Sequence, residues 1–282
     1  MKFRFYIIVT IENLNFNYSN HPVFKDITLS LEAGKIYGLL GQNGVGKTTL
    51  LKIMCGLLKL KSGGCKIMGY TPFDRKPGFL QELFFIPEDF TGPDIVVNDF
   101  ARLRGEFYPH YDANKFIRLM TDFDVNGNSK FTKLSFGQQK KAIIAFALST
   151  NTKLILLDEP SNGLDIPSKS QLRKVISQAC TDESCIVIST HQVRDLENLI
   201  DPIIILDKNA VLLNESIEGI SQKLCFSFSS VPVSDALYCE PTLGGYLVVN
   251  RNLTNEESKV NIEALFNAVL LNKQTIRQIF NK

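Results

Sequence analysis

The residues Gly41, Gln42, Asn43, Gly44, Val45, Gly46, Lys47 and Thr48 fit the pattern GxxxxGK[ST]. Glycines at that spacing let the backbone wrap closely round a phosphate, with the N–H groups of the loop and of the following helix start pointing inward. Lys47 then reaches the β and γ phosphates of a nucleotide, the Thr48 hydroxyl ligates Mg2+, and Thr49 continues into the helix. Further along, "LILLDEP" spans Leu154 to Pro160, four apolar residues followed by two carboxylates. In an open α/β sheet ligands sit beyond the carboxyl ends of the strands. Asp158 at such an end can hold Mg2+ through water, and Glu159, one step on, can orient and polarise an attacking water. An acidic pair after a strand also serves as a helix cap or a surface turn; the glycine loop upstream is what turns the reading toward phosphate chemistry. His191 closes a third apolar run, "CIVISTH". Alone it reads as a turn residue, but on the same sheet edge it could donate to a γ-phosphate.

These groups meet only if the apolar runs are neighbouring strands. Val9 to Tyr18 and "VFKDITLSLEAG" alternate like strands, and "KIYGLLG" is a short buried one leading into a helix from Gly46 through "KTTLLKIMCGLL". "SGGCKIMGY" and "LFFIPED" are further strands, and Val96 to Phe123 turns helical. "KLSFGQQKKAIIAFAL" reads as a loop and helix, "IPSKSQLRKVISQAC" as a helix, "QVRDLENLI" as another, and "IIILDKNAVLLNE" as a hairpin about Lys208-Asn209. Apolar runs alternating with helices predict a mostly parallel α/β sheet with antiparallel strands at the front.

Composition narrows the partners. A chain of 282 residues, 44% hydrophobic, can bury a large core, and a formal charge of +2 leaves no basic footprint for nucleic acid. The cysteines at 55, 65, 180, 185, 225 and 239 form no paired CxxC knuckles, which argues for reduced thiols in a cytosolic protein rather than zinc. Near the start, Lys2 and Arg4 precede an apolar run from Phe5 to Ile11 that is too short for a signal core and ends at Glu12 without a cleavage-like site. No run approaches the roughly 20 apolar residues a membrane helix needs, so the expectation is a soluble chain.

In order, these motifs resemble the ATP-binding subunit of the ATP-binding cassette (ABC) transporter family. "LSFGQQK" resembles that family's signature, usually LSGGQ and a basic residue, and falls between the glycine loop and the acidic strand. The resemblance implies a P-loop ATPase fold of ABC type with a helical subdomain, and a homodimer or paired cassette packed head to tail. Ser135 and Gly137, with Gln138 nearby, would then face the γ-phosphate held by the partner's P-loop. Phe136 replaces the first glycine of the signature. "SNGLD" resembles the D-loop, so Asp165 would reach across the dimer; Tyr18 stands where the family stacks an aromatic on adenine, although by itself such a tyrosine is more often a strand-end residue. His191 matches the switch histidine.

Glu88 in "FFIPED" stands where the family has the Q-loop glutamine, and a carboxylate there would also ligate Mg2+ unless it is a plain solvated turn acid. The arm from about 89 to 133 would receive a separate transmembrane permease at the cytoplasmic face of a membrane. Its aromatics, Phe100, Phe107, Tyr108, Tyr111 and Phe116, read mostly as core, with some in a docking groove. Proline-glutamate at the Q-loop leans toward export over import. The rival is a soluble ABC ATPase acting on nucleic acid or ribosomes; the missing zinc knuckles and long coiled coil weigh against it. Residues 1–215 are taken as the ATPase domain. Residues 216–282 are a small α+β appendage, with a helix opened by a capping box of Thr254 and Glu257.

Overall fold

Alternation of apolar and polar residues shapes the front of the molecule. In this computed structural model, which describes residues 6–280, β1 (Ile7–Tyr18) and β2 (His21–Glu32) pair antiparallel, with Val9 opposite Leu31 and Ile11 opposite Leu29. Lys2, Arg4 and Phe5 lie outside the described residues. β3 (Lys35–Leu40) leads through the glycine loop into α1 (Lys47–Met54), and β4 (Ser62–Ile67) returns to pair with β1. The helix is shorter than its sequence suggests. After Met54 the N–H groups of Leu57 and Leu58 both turn back to the Lys52 carbonyl, and Gly56 takes a φ of 73°, which ends the helix.

The chain continues through α2 (Pro77–Leu80), β5 (Leu83–Ile86), α3 (Val97–Gly105) and α4 (Ala113–Asp122). The helical stretch expected over about Val96 to Phe123 consists of two helices. Pro109 breaks the run, since it has no N–H to give, and Asp112 restarts it by accepting the Lys115 N–H at 2.9 Å. Next come α5 (Phe136–Ser149), β6 (Leu154–Asp158), α6 (Ile166–Ala179) and β7 (Cys185–Thr190). The helix expected over "QVRDLENLI" is only a short 3-10 turn at Val193–Leu196. The Asp195 carbonyl is taken by the Arg173 guanidinium at 2.9 Å, and the Leu199 N–H goes to Leu196 instead.

β8 (Ile203–Asp207) and β9 (Ala210–Glu215) make the expected hairpin, with Asn209 at φ 72° in its turn. α7 (Ile217–Lys223), β10 (Leu224–Ser229), β11 (Tyr238–Thr242), β12 (Gly245–Arg251), α8 (Ile262–Leu271) and α9 (Lys273–Phe280) follow. The Thr254 capping box does not form. Residues 252–256 are a turn in which Asn252 Oδ1 accepts the Glu256 N–H and Thr254 donates to the Glu256 carboxylate; Asn261 caps α8 through the Ala264 N–H at 2.9 Å.

The main sheet runs β5-β6-β7-β3-β8-β9, parallel except for β9. Its central strands β3, β6, β7 and β8 are buried on both faces, as a parallel sheet requires. Successive residues serve opposite layers. Leu39 and Leu156 pack toward the β2-β1-β4 sheet and α1, while Leu40 and Leu157 pack toward α5 and α6. The β10-β12-β11 sheet and α8 join the second layer through Val249, Leu265 and Val269. Among the described residues no helix is long and apolar enough to cross a membrane.

Candidate active site

Strand order assembles the site. β7 lies between β6 and β3, with Asp158 level with Ser189 and Leu40 level with Thr190. The carboxyl ends of β3, β6 and β7 therefore deliver the glycine loop, Asp158-Glu159 and His191 to one edge, as ligand sites in open α/β sheets require.

Lys47 is buried at the start of α1, its Nζ donating to the Gly41 carbonyl at 2.8 Å and lying 3.7 Å from Glu159 Oε1. Burial pushes the Lys47 amine below its ordinary range, opposed by the Glu159 and Asp158 carboxylates. Thr48 Oγ1 donates to Asp158 Oδ2 at 2.6 Å, and Ser189 Oγ donates to the other Asp158 oxygen. Glu159 Oε1 lies 2.8 Å from His191 Nδ1. Glu159 Oε2 is buried without a hydrogen-bond partner. A solvent-free carboxylate oxygen with an open acceptor capacity is suited to a ligand or a water. Asp158 and Thr48 together offer hard oxygen donors, the ligand type that Mg2+ prefers, so the residues fit that ion.

The other sequence-identified residues lie around this centre. Tyr18 ends β1 half exposed, edge-on to Phe16 at 4.9 Å, its hydroxyl 3.5 Å from Thr49 Oγ1. Glu88 accepts from Asn162 Nδ2 at 2.8 Å, and no hydrogen bond joins it to Thr48 or Asp158. Ser135 and Gln138 bond each other: Ser135 Oγ accepts the Gln138 N–H at 3.3 Å and Gln138 Oε1 accepts the Ser135 N–H at 3.1 Å, a capping box that opens α5. Gly137 sits against Gly163 and Leu164. Asp165 caps α6 through the Ser168 N–H at 3.0 Å; the Ser168 hydrogen bonds hold its carboxyl below the usual range. The hydrogen bonds of Ser135, Gln138 and Asp165 are thus local to two helix starts and do not reach the glycine loop of the same chain.

Sequence reasoning missed three groups. Ser189 bridges Asp158 and the Glu159 backbone; its signal was a hydroxyl inside the apolar run "CIVIST". Lys140 is almost fully buried, donating to the carbonyls of Glu159 and Asn162, and was a charge inside an apolar helical run. Asn162 links Glu88 to that pair. Of the aromatics in the arm, Phe116 is buried and Phe100, Tyr108 and Tyr111 pack on the core. Phe107 is 62% exposed and lines a groove with Leu57, Leu80, Phe84 and Arg104.

The ABC transporter family model matches residues 24–162. An uncharacterized ABC transporter ATP-binding protein of Methanocaldococcus jannaschii is 31% identical over 225 residues, 77% of this chain and 81% of that protein. The ATP-binding protein of a high-affinity zinc uptake system from Bacillus subtilis is 27% identical over 71% of this chain and 91% of its own length. The solved structure of an ATP-binding subunit of an ABC transporter superposes with a TM-score of 0.70 at 25% identity, covering 76% of this chain and 91% of that one. The chain belongs to the ABC transporter family, as one of its ATP-binding subunits, and is an ATPase.

Proposed function

We propose that this ATPase closes as a dimer on two ATP molecules and, through hydrolysis, drives a separate membrane-spanning subunit to which it is bound at the cytoplasmic face. The observation that carries the chemistry is the Glu159 carboxylate, held 2.8 Å from His191 and 3.7 Å from Lys47 with its second oxygen unpartnered. In this reading residues 41–49 cradle the phosphates, Tyr18 stacks on the adenine, and Lys47 and His191 donate to the γ-phosphate. Glu159 orients the attacking water and accepts its proton. Thr48 and Asp158 would hold Mg2+, with Glu88 as a further ligand, and the ion would supply positive charge next to the phosphates. Ser135, Gly137, Gln138 and Asp165 act on the partner cassette's nucleotide. This is supported by the side-chain hydrogen bonds of Ser135, Gln138 and Asp165, which stay within their own helix starts, and by the 47% exposed Phe136 among them.

The groove beside Phe107 is the proposed seat of the membrane subunit. Residues 1–215 form the catalytic domain in this proposal, and residues 216–282 its appendage. Pro87-Glu88 favours export, and the zinc-uptake relative favours import; cargo movement in reconstituted vesicles separates them.

The test is mild-detergent purification of the tagged Glu159→Gln protein with identification of what accompanies it. A polytopic membrane protein in near-equal amount is expected. Ribosomes or nucleic-acid-bound proteins without a membrane protein would overturn the transport reading and leave the ATPase chemistry standing.

A further inference from the structure

Lys140 lies in α5 with 1% of its surface exposed. A buried ammonium is costly unless its N–H groups find acceptors. Its Nζ donates to the Glu159 carbonyl at 2.9 Å and to the Asn162 carbonyl at 3.2 Å, and faces the Phe136 ring 5.2 Å from the centroid. Two carbonyls and an aromatic face thus surround the charge, the last an electrostatically favourable contact.

The peptide that Lys140 holds is unusual. Glu159 has φ 46°, in the left-handed region that an L residue adopts only at a free-energy cost and keeps only when its surroundings over-determine it. Ser189 fixes one side, accepting the Glu159 N–H at its carbonyl and its hydroxyl, both at 3.1 Å. Lys140 fixes the other side at the carbonyl. The aim of the Glu159 carboxylate follows from this backbone. Phe136, where the signature of the family has glycine, packs on Gly163 so closely that a Cβ there would stand 2.8 Å from the ring, and it covers Lys140.

We propose that Lys140 is a positioning residue for ATP hydrolysis, holding the Glu159 carbonyl so that the left-handed backbone aims the Glu159 carboxylate at the attacking water. This rests on Glu159 being the residue that orients that water.

The test uses the full chain with Lys140→Met, Lys140→Gln, Glu159→Gln and the Lys140→Met/Glu159→Gln pair. It follows steady-state hydrolysis of Mg-ATP, binding of a fluorescent ATP analogue, and amide hydrogen exchange over residues 159–164 without nucleotide. Lys140→Met is expected to lower kcat about 10-fold or more with KM and analogue binding little changed, because a small misplacement of a catalytic group suffices for that. Exchange over residues 159–164 rises in the same variant. Lys140→Gln, which keeps an N–H donor, recovers part of the rate and carries the same comparisons if the Met variant does not fold. In the double variant the loss does not multiply, since both changes act through one group. An unchanged kcat or unchanged exchange in Lys140→Met, or losses that multiply in the double variant, overturns the proposal. A wild-type rate in Glu159→Gln alone overturns the reading of Glu159, and this inference with it.

Discussion

Glu159 donates its backbone N–H to Ser189 across two neighbouring parallel strands, 3.1 Å to the hydroxyl, while that hydroxyl donates its own proton to Asp158. One serine side chain therefore spaces the Asp158 carboxylate from the Glu159 backbone. Ser189→Ala leaves one Asp158 oxygen short of a buried partner, while the Glu159 N–H keeps the Ser189 carbonyl, at a cost of about 1–3 kcal/mol. Urea unfolding should show that loss, and hydrolysis should fall while ATP binding is kept. A variant as stable and as active as the parent would show that the serine spaces nothing.

One ring stands at the centre of the contact between the helical arm and the sheet. Phe146 in α5 is 1% exposed and meets the rings of Phe84, Phe100, Tyr108, Tyr111 and Phe116 with centroids 5.3 to 6.4 Å away. Phe146→Ala should cost about 3–5 kcal/mol, the usual penalty for emptying a packed aromatic site. Against a total stability of about 5–15 kcal/mol this is a large fraction, visible as a shifted denaturation midpoint. A shift worth less than about 1 kcal/mol would mean that the arm is held elsewhere.

Burial raises the Cys55 thiol to about 11 and the Cys65 thiol to about 12, and raises Cys185 further in the same direction. The thiolate is the reactive form. At pH 8 these three should resist a thiol reagent until denaturant is added, while the half-buried Cys225 and Cys239 are labelled in the native protein. The sign for stability follows: above the ordinary thiol value of about 8.5 the unfolded chain loses protons that the folded chain keeps, so stability falls as pH rises. Rapid native labelling of Cys55 or Cys65 would contradict the packing.

Local sequence carried much of the fold. The glycine loop after β3 and before α1, the run "LILLD" and the hairpin at Asn209 need only neighbours in sequence to be recognised, because strand burial and turn chemistry are local signals. What escaped depends on distant groups. Arg173 takes the Asp195 carbonyl and stops a helix whose periodicity is sound. Asn252 captures Glu256 and removes the turn that Thr254 would have capped. Lys140 looks like a solvated charge until the carbonyls of Glu159 and Asn162 close over it, and Ser189 looks like any strand hydroxyl until β6 is laid beside β7. Side chains whose roles come from tertiary partners leave weak traces in one sequence.

The most direct measurement is phosphate release by the full chain and by Glu159→Gln under saturating Mg-ATP, with bound nucleotide quantified in parallel. Release from Glu159→Gln is expected to fall at least about 100-fold, the scale of a lost general base, with ATP still bound. Wild-type release from Glu159→Gln would contradict the assignment of the reaction to this carboxylate.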